Sequence, residues 1–351
     1  MHDPRKVGTG FRIRIMPKRK TMRAVYYERT GPAAEVLIHG EVETPRPAPG
    51  EVLVEIAASG VNPHDTKGRS GWTGRPMPHP RVIPHSDGAG RIVAVGDGVD
   101  RARIGERVWI CRADHRAGMG AAAEFVAVPA DCAVALPDDV SFAAGASLGV
   151  PALTATMAVF AGGAVTGLDV LVQGGAGAVS CYAIQFARQD GARVFATVSS
   201  PEKAAHARRY GADEVIDYRK EDAAARVLAL TGGRGVARIV EVDFGANLAA
   251  DVAMIAPHGV IASYSSSRVR EPVFPYYDLA PKDVTLRIVQ GKIIPDATRL
   301  AGVALITQLM QSGTLIHPPA LSYPFGHMAA AHAALESGTT TGKIVVEGPG
   351  A

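Results

Sequence analysis

Cysteine is scarce in this chain, with three residues in 351. Cys111, Cys132 and Cys181 are far apart and odd in number, which argues against a disulfide framework and fits a reducing cytoplasm. No apolar run is long enough to span a bilayer, so no membrane partner is expected. Internal repeats and low-complexity tracts are missing too. So is a strong charge of one sign on the body of the chain. The formal charge of +3 includes a net +6 from residues 1–21, where seven Lys/Arg stand against Asp3 alone, and the remainder carries −3. Basicity is therefore a property of the tail, and no nucleic-acid surface is expected on the folded part. The tail lacks the continuous apolar core of a secretory signal. It reads as a flexible extension, a cloning remnant, a start upstream of a natural one at Met22, or an arginine-rich transit peptide.

What is present is organised around Asp169–Arg188. Val170-Leu-Val172 is a short apolar run that reads as a buried parallel strand, and Val179, Tyr182, Ala183 and Phe186 follow at helical spacing. Between them lie Gly174, Gly175 and Gly177. Strand, glycine turn and helix make the first βα unit of a dinucleotide-binding domain, in which free N–H groups and the helix dipole hold a pyrophosphate. The pattern departs from the full fingerprint at Ser180, where glycine or alanine is usual, and a tight turn that binds nothing is the plain alternative. Arg193–Val198 reads as a second strand, Pro201–Tyr210 as a helix and Asp213–Asp217 as a third strand, which completes a βαβαβ run.

The tip of the second strand indicates the dinucleotide. An NAD site carries Asp or Glu there to accept from the ribose 2′-OH. Here the residues are Ser199, Ser200, Pro201, Glu202 and Lys203. Hydroxyls and an ammonium suit a 2′-phosphate, Tyr218 can add a phenol donor, and NADPH is expected. Against this stand Glu202, which could reach a ribose, and the ordinary fate of a lysine such as Lys203 as a solvated helix charge.

Upstream, Met22–Tyr27, Glu51–Ala57, Gly90–Val95, Arg107–Ile110 and Glu124–Val128 read as short strands separated by turns, a compact β-rich domain. Ala143–Phe160 reads as helix with a break near Gly149–Pro151. Downstream, helices are expected over Glu221–Leu230, Ala246–Ala256, Asp296–Gln311 and Met328–Glu336. Strands are expected over Arg238–Val242, Val260–Tyr264, Asp283–Val289 and Lys343–Val346.

Over residues 22–348 the chain resembles the medium-chain dehydrogenase/reductase superfamily, in its zinc-free quinone oxidoreductase branch. The resemblance rests on Gly60-Val-Asn-Pro-x-Asp65, Asp87-Gly-Ala-Gly90, Val93-Ala-Val-Gly96, Gly105-Glu-Arg-Val108 and Ala123-Glu-Phe-Val126. Leu136-Pro137, Leu153-Thr-Ala155, the glycine turn, Gly211-Ala-Asp213 and Thr341-Gly-Lys-Ile-Val345 follow in order. It implies an α/β fold, with a doubly wound parallel Rossmann sheet inserted in a GroES-like β-rich catalytic domain. The implied division is a catalytic domain over 22–147 and 296–351, a Rossmann NADPH-binding domain over 148–295, and a homodimer. It also implies that Gly174, Gly175, Ala176, Gly177, Ala178, Val179 and Lys343 meet the cofactor, and that Thr154 lines the nicotinamide. For Thr154 the alternative is a hydroxyl that satisfies a helix carbonyl.

In zinc-dependent relatives a Cys stands at Asn62, a His-Glu pair at Ser86-Asp87 and a second Cys near Gly149-Val150. All three ligand positions differ here, and His64, His79 and His85 lie nearby but out of register, so no metal is expected. Without a Lewis acid, alcohol oxidation is poorly supported. Hydride delivery to a quinone or an α,β-unsaturated carbonyl needs only positioning, a dry cleft and one or two donors at the developing oxyanion. Asn62 is the candidate donor, or else a turn residue held extended by Pro63. Asp65 is expected to order the loop, and Lys67, Arg69 and Trp72 to shape the substrate mouth. Lys67 stands where the family often has tyrosine, which suits an anionic or polar acceptor. A non-catalytic NADPH-binding protein of the same fold remains the alternative of a different class.

Overall fold

The computed structural model describes residues 20–350, so the basic extension over 1–21 lies, except for its last two residues, outside the described residues. Strand β1 (Thr21–Tyr26) is followed by α1 (Ala33–Val36) and β2 (Ile38–Glu43), which pairs antiparallel with β1. Next come β3 (Glu51–Val61), α2 (Pro63–Ser70), β4 (Asp87–Val95), β5 (Arg107–Ile110), β6 (Phe125–Pro129) and β7 (Ala133–Ala135). Two helices, α3 (Phe142–Gly145) and α4 (Gly149–Val159), lead out of this β-rich unit. The break between them falls before Gly149. Pro151 sits inside the first turn of α4, where its missing N–H has no intrahelical partner to lose.

Then strands and helices alternate: β8 (Asp169–Val172), α5 (Ala178–Gln189), β9 (Arg193–Val198), α6 (Pro201–Arg209), β10 (Glu214–Asp217) and α7 (Ala223–Leu230). The run continues with β11 (Val236–Glu241), α8 (Phe244–Met254), β12 (Ile255–Ser263), α9 (Tyr276–Leu279) and β13 (Thr285–Ile288). These strands are parallel, in the order β10-β9-β8-β11-β12-β13. Because β8 lies between β9 and β11, the chain winds outward from it in both directions. The crevice at its carboxyl end is the switch point where ligands bind in such sheets. Val170, Leu171, Val172, Val194, Phe195 and Ala196 are fully buried, as parallel strands covered on both faces must be. Burial of each large side chain among them contributes about 1.5–3 kcal/mol.

Helix α10 (Asp296–Gln311) packs on α4, with Gly302 set so close that a Cβ there would lie 2.9 Å from Thr156 Oγ1. The chain then returns through β14 (Ala320–Tyr323), α11 (Met328–Glu336) and β15 (Lys343–Glu347) to the first unit. There β15 pairs antiparallel with the second half of β3, whose first half pairs with β6, and β4 runs along the opposite edge of β3. The carboxyl-terminal strand is thus built into the amino-terminal sheet.

Candidate active site

Strand register assembles the centre of the site. Gly60 lies opposite Asp87 on β4, and Val61 lies opposite Ile344 on β15, so the next residue, Asn62, comes level with Lys343. Asn62 is the N-cap residue of α2, and its extended backbone is what Pro63 demands. Asp65 Oδ2 accepts from the Asn62 backbone N–H at 2.9 Å, which orders the turn. The Asn62 side chain points inward. Its Nδ2 donates to Asp87 Oδ2 at 2.7 Å, and its Oδ1 accepts from Lys343 Nζ. Lys343 Nζ also donates to Asp87 Oδ2 at 3.1 Å, and the Val150 N–H of the first turn of α4 donates to Asp87 Oδ1 at 2.7 Å. Burial pushes the Asp87 carboxyl up, while Lys343, Asn62 and Val150 pull it down. Asn62, Asp87 and Lys343 are all nearly inaccessible. Gly60 makes room for this arrangement, since a Cβ there would stand 2.9 Å from Lys343 Cε and 2.1 Å from the Ala146 carbonyl oxygen. The second Asn62 amide hydrogen is loosely held, with Nδ2 3.4 Å from the Gly60 carbonyl oxygen.

At the carboxyl end of β8, Gly174 adopts φ +66°, a conformation that favours glycine, and turns the chain into α5. A hydrogen-bond chain braces this turn. Gly174 N–H donates to Thr197 Oγ1 (3.0 Å), Thr197 to Gln173 Oε1 (2.6 Å), and Gln173 Nε2 to the buried Asp251 (3.0 Å). At Gly177, by contrast, a Cβ would meet nothing closer than 3.7 Å, so the space beside the start of α5 is open. Gly342 N–H donates to the Ala176 carbonyl, which joins the turn to the segment that carries Lys343. At the tip of β9, Ser200 caps α6 by accepting from Lys203 N–H, and Lys203 Nζ donates to Ser199 Oγ at 3.1 Å. Tyr218 is exposed just after β10. Along the chain from Ser199 to Lys203 the one carboxylate is the exposed Glu202 of α6, and Asp217, which pairs with Val198 at the end of β10, accepts from the Arg219 N–H and lies 3.6 Å from Lys220. These features fit a dinucleotide with a 2′-phosphate. The Lys343 ammonium is engaged by Asn62 and Asp87, while the preceding Gly342 is bonded to the turn.

The expected mouth residues separate. Lys67 and Arg69 are two positions apart on α2, and so point to nearly opposite faces of the helix. Lys67 reaches across to the loop after β12, donating to Ser267 Oγ at 2.6 Å, and its ammonium lies 4.6 Å from the Trp72 ring centre. Burial lowers its pKa, with Asp243 acting the other way. Arg69 instead turns into the core, bonded to the Gly31 carbonyl and ion-paired with Glu336 of α11, so it does not shape the mouth. Thr154 is buried on α4, its Oγ1 3.4 Å from where a Cβ of Gly291 would stand. The residues not anticipated are Asp87 as a charge partner and the loop Ser265–Arg270. Their available signal was position, since a serine-rich segment at the carboxyl end of a parallel strand sits where ligands bind.

The histidines near the centre are engaged with one another. His85 Nε2 and His332 Nε2 are 3.0 Å apart, and His85 Nδ1 lies 2.9 Å from Ser59 Oγ. Burial pushes both imidazoles down, His85 to about 4 and His332 to about 3, so the pair is neutral and shares one N–H···N bond. His64 bonds Ser86 Oγ at 2.8 Å, and His79 lies on the loop between α2 and β4. Among the described residues no three His, Cys, Asp or Glu side chains converge as a metal site would require.

A doubly wound sheet with a glycine turn at its switch point, facing a β-rich unit completed by the carboxyl-terminal strand, defines a medium-chain dehydrogenase/reductase. Family comparison agrees. The alcohol dehydrogenase GroES-like domain matches residues 48–138, and the zinc-binding dehydrogenase domain matches residues 178–300. Human quinone oxidoreductase is 30% identical over 331 residues, covering 93% of this chain and 98% of that protein. The structure of the quinone oxidoreductase of Pseudomonas syringae pv. Tomato superposes with a TM-score of 0.81 at 31% identity, covering 93% of this chain and 99% of that one. Escherichia coli quinone oxidoreductase, solved with NADPH, gives 0.81 at 27% identity, with the same coverage. The chain belongs to the quinone oxidoreductase branch of that superfamily.

Proposed function

We propose that the protein is an NADPH-dependent quinone oxidoreductase that works without zinc and also accepts α,β-unsaturated carbonyl compounds. The observation that carries this reading is the buried Asn62–Asp87–Lys343 cluster. In zinc-dependent relatives a Cys stands at Asn62 and a His-Glu pair at Ser86-Asp87; here Asn62 and Asp87 are bonded to each other and both accept from the Lys343 ammonium. A cation already bonded to both side chains repels a second cation and occupies their acceptor atoms. The donor set therefore does not fit zinc.

Ser199, Ser200 and Lys203 would hold the 2′-phosphate, Tyr218 would border it, and the open start of α5 would take the pyrophosphate. Bound NADPH would supply a hydride. The chain's own part is to orient the acceptor and donate to the oxygen on which negative charge builds. Asn62 is read as that donor: Lys343 holds its carbonyl end and Asp87 one amide hydrogen, and the other, held only loosely by the Gly60 carbonyl, would turn to the acceptor oxygen. Thr154 is read as a wall of the nicotinamide pocket. The division into a catalytic unit over 22–147 and 296–351 and a cofactor unit over 148–295 is retained as part of the proposal. The reading is tested by NADPH oxidation with one quinone and one enone, on protein whose metal content is measured in the same sample.

A homodimer is part of the same reading. All four residues of the sheet-edge strand β13 are exposed, Leu286 and Ile288 among them, and Tyr276 and Tyr277 stand exposed nearby. An uncovered apolar edge is a template for pairing with a second copy. Ile288→Lys is expected to shift the mass seen by light scattering from dimer to monomer. A parent protein that is already monomeric would contradict this.

A further inference from the structure

The loop after β12 meets the segment after α2 at one side chain, Trp72. Two cations lie over its indole. Lys67 Nζ is 4.6 Å from the ring centre, and the Arg270 guanidinium is 4.5 Å from it. Lys67 comes from α2 and Arg270 from the loop after β12, and Arg270 Nη2 also reaches the Thr73 carbonyl at 3.4 Å. Among the described residues neither cation is ion-paired with a carboxylate. The acid that Lys67 feels, Asp243, is taken up by Arg268 Nε at 2.5 Å and by the N–H groups of Ser267 and Arg268. Burial raises the Asp243 carboxyl, but these three contacts outweigh it and hold it below its ordinary range.

As a purely structural latch the arrangement is poor. An exposed cation–π contact contributes only about 0.5–1 kcal/mol, and two like charges drawn to one ring repel each other. An anion bound by both would offset that repulsion through two charge-assisted bonds, and the exposed part of the Trp72 indole would border an aromatic acceptor. We propose that Lys67 and Arg270 determine acceptor specificity by binding an acidic substituent, so that the preferred acceptors are aromatic quinones or enones carrying a carboxylate or sulfonate. This rests on the reductase reading above and names the substrate class of the same cleft. It includes Arg270, which acts from the cofactor side and orders the acceptor against Trp72.

The test compares 9,10-phenanthrenequinone with its sulfonated derivative. A sulfonate also alters the quinone's potential, so the readout is the change between parent and variant in the ratio of kcat/KM for the two acceptors. Arg270→Gln and Lys67→Met are each expected to lower the ratio of sulfonated to neutral acceptor by about tenfold, and Arg270→Lys to retain most of it. Added salt is expected to lower the parent's ratio. A ratio unmoved by either substitution overturns the proposal. So does a change confined to the KM for NADPH, which would assign the two cations to the cofactor. Should the parent reduce neither quinone, the reductase reading fails on its own, and the anion site is read by fluorescence. Naphthalene-2-sulfonate is then expected to quench Trp72, the other tryptophan, Trp109, being fully buried. Binding should weaken about tenfold in Arg270→Gln, and equal binding by parent and variant would again overturn the proposal.

Discussion

Asn62→Ala is expected to lower kcat and kcat/KM together, by about ten- to a thousandfold, the upper figure being typical of the loss of one oxyanion donor. The two parameters should fall together because the bond strengthens only as negative charge develops on the acceptor oxygen. The cluster explains why the effect should be large. Lys343 and Asp87 hold the amide, which leaves only its loosely held second hydrogen to turn to the acceptor. Asn62→Asp should be worse than alanine, since a second carboxylate beside Asp87 would repel the developing charge and compete for Lys343. NADPH affinity should change little, because the glycine turn and Lys203 lie elsewhere in the crevice. Removing the amide also leaves Lys343 and Asp87 each one buried partner short, at a cost of about 1–3 kcal/mol, so thermal unfolding must be followed alongside the kinetics. Two well-folded variants with parental turnover would make Asn62 a structural residue.

Lys203→Glu is the second change with a large expected effect. The parent should bind NADPH at least about tenfold more tightly than NADH, since a charge-assisted hydrogen bond to the 2′-phosphate contributes about 1.5–3 kcal/mol. Lys203 Nζ and Ser199 Oγ already lie 3.1 Å apart, and Ser200 is fixed as the cap of α6, where its hydroxyl also meets Glu202. Reversing the charge should remove the preference and leave NADH binding nearly unchanged. Equal affinity of the parent for both cofactors, measured by titration of protein fluorescence, would contradict the assignment of this subsite.

The cofactor half of the molecule was legible in the sequence because its strands are buried on both faces and appear as unbroken apolar runs. Val170-Leu-Val172 and Arg193–Val198 announce themselves, and α10 spans the residues expected of it. The β-rich half was less so. Helix α2, with His64, Thr66 and Gly68 among its eight residues, carries no apolar stripe, and so went unread. That omission led directly to the misplacement of Arg69. Once the segment is a helix, a residue two positions from Lys67 cannot share its face. Strand β14 was missed as well, its four residues too few to show an alternation. The central cluster was beyond sequence reasoning for another reason. Asn62 and Lys343 are 281 positions apart, and only the antiparallel register of β15 on β3 makes them neighbours. The resemblance pointed to both residues, but not to the bond between them.

The most direct measurement is NADPH oxidation, followed by absorbance, when purified protein is mixed with a quinone after exhaustive chelation and metal analysis. Steady turnover at less than a tenth of a metal per chain, about the level of a trace contaminant, with NADH a much poorer donor, is the predicted result. Turnover that disappears on chelation and returns with zinc would contradict the assignment of the Asn62–Asp87–Lys343 cluster. Tight NADPH binding without oxidation by any quinone or enone would contradict the reductase reading itself.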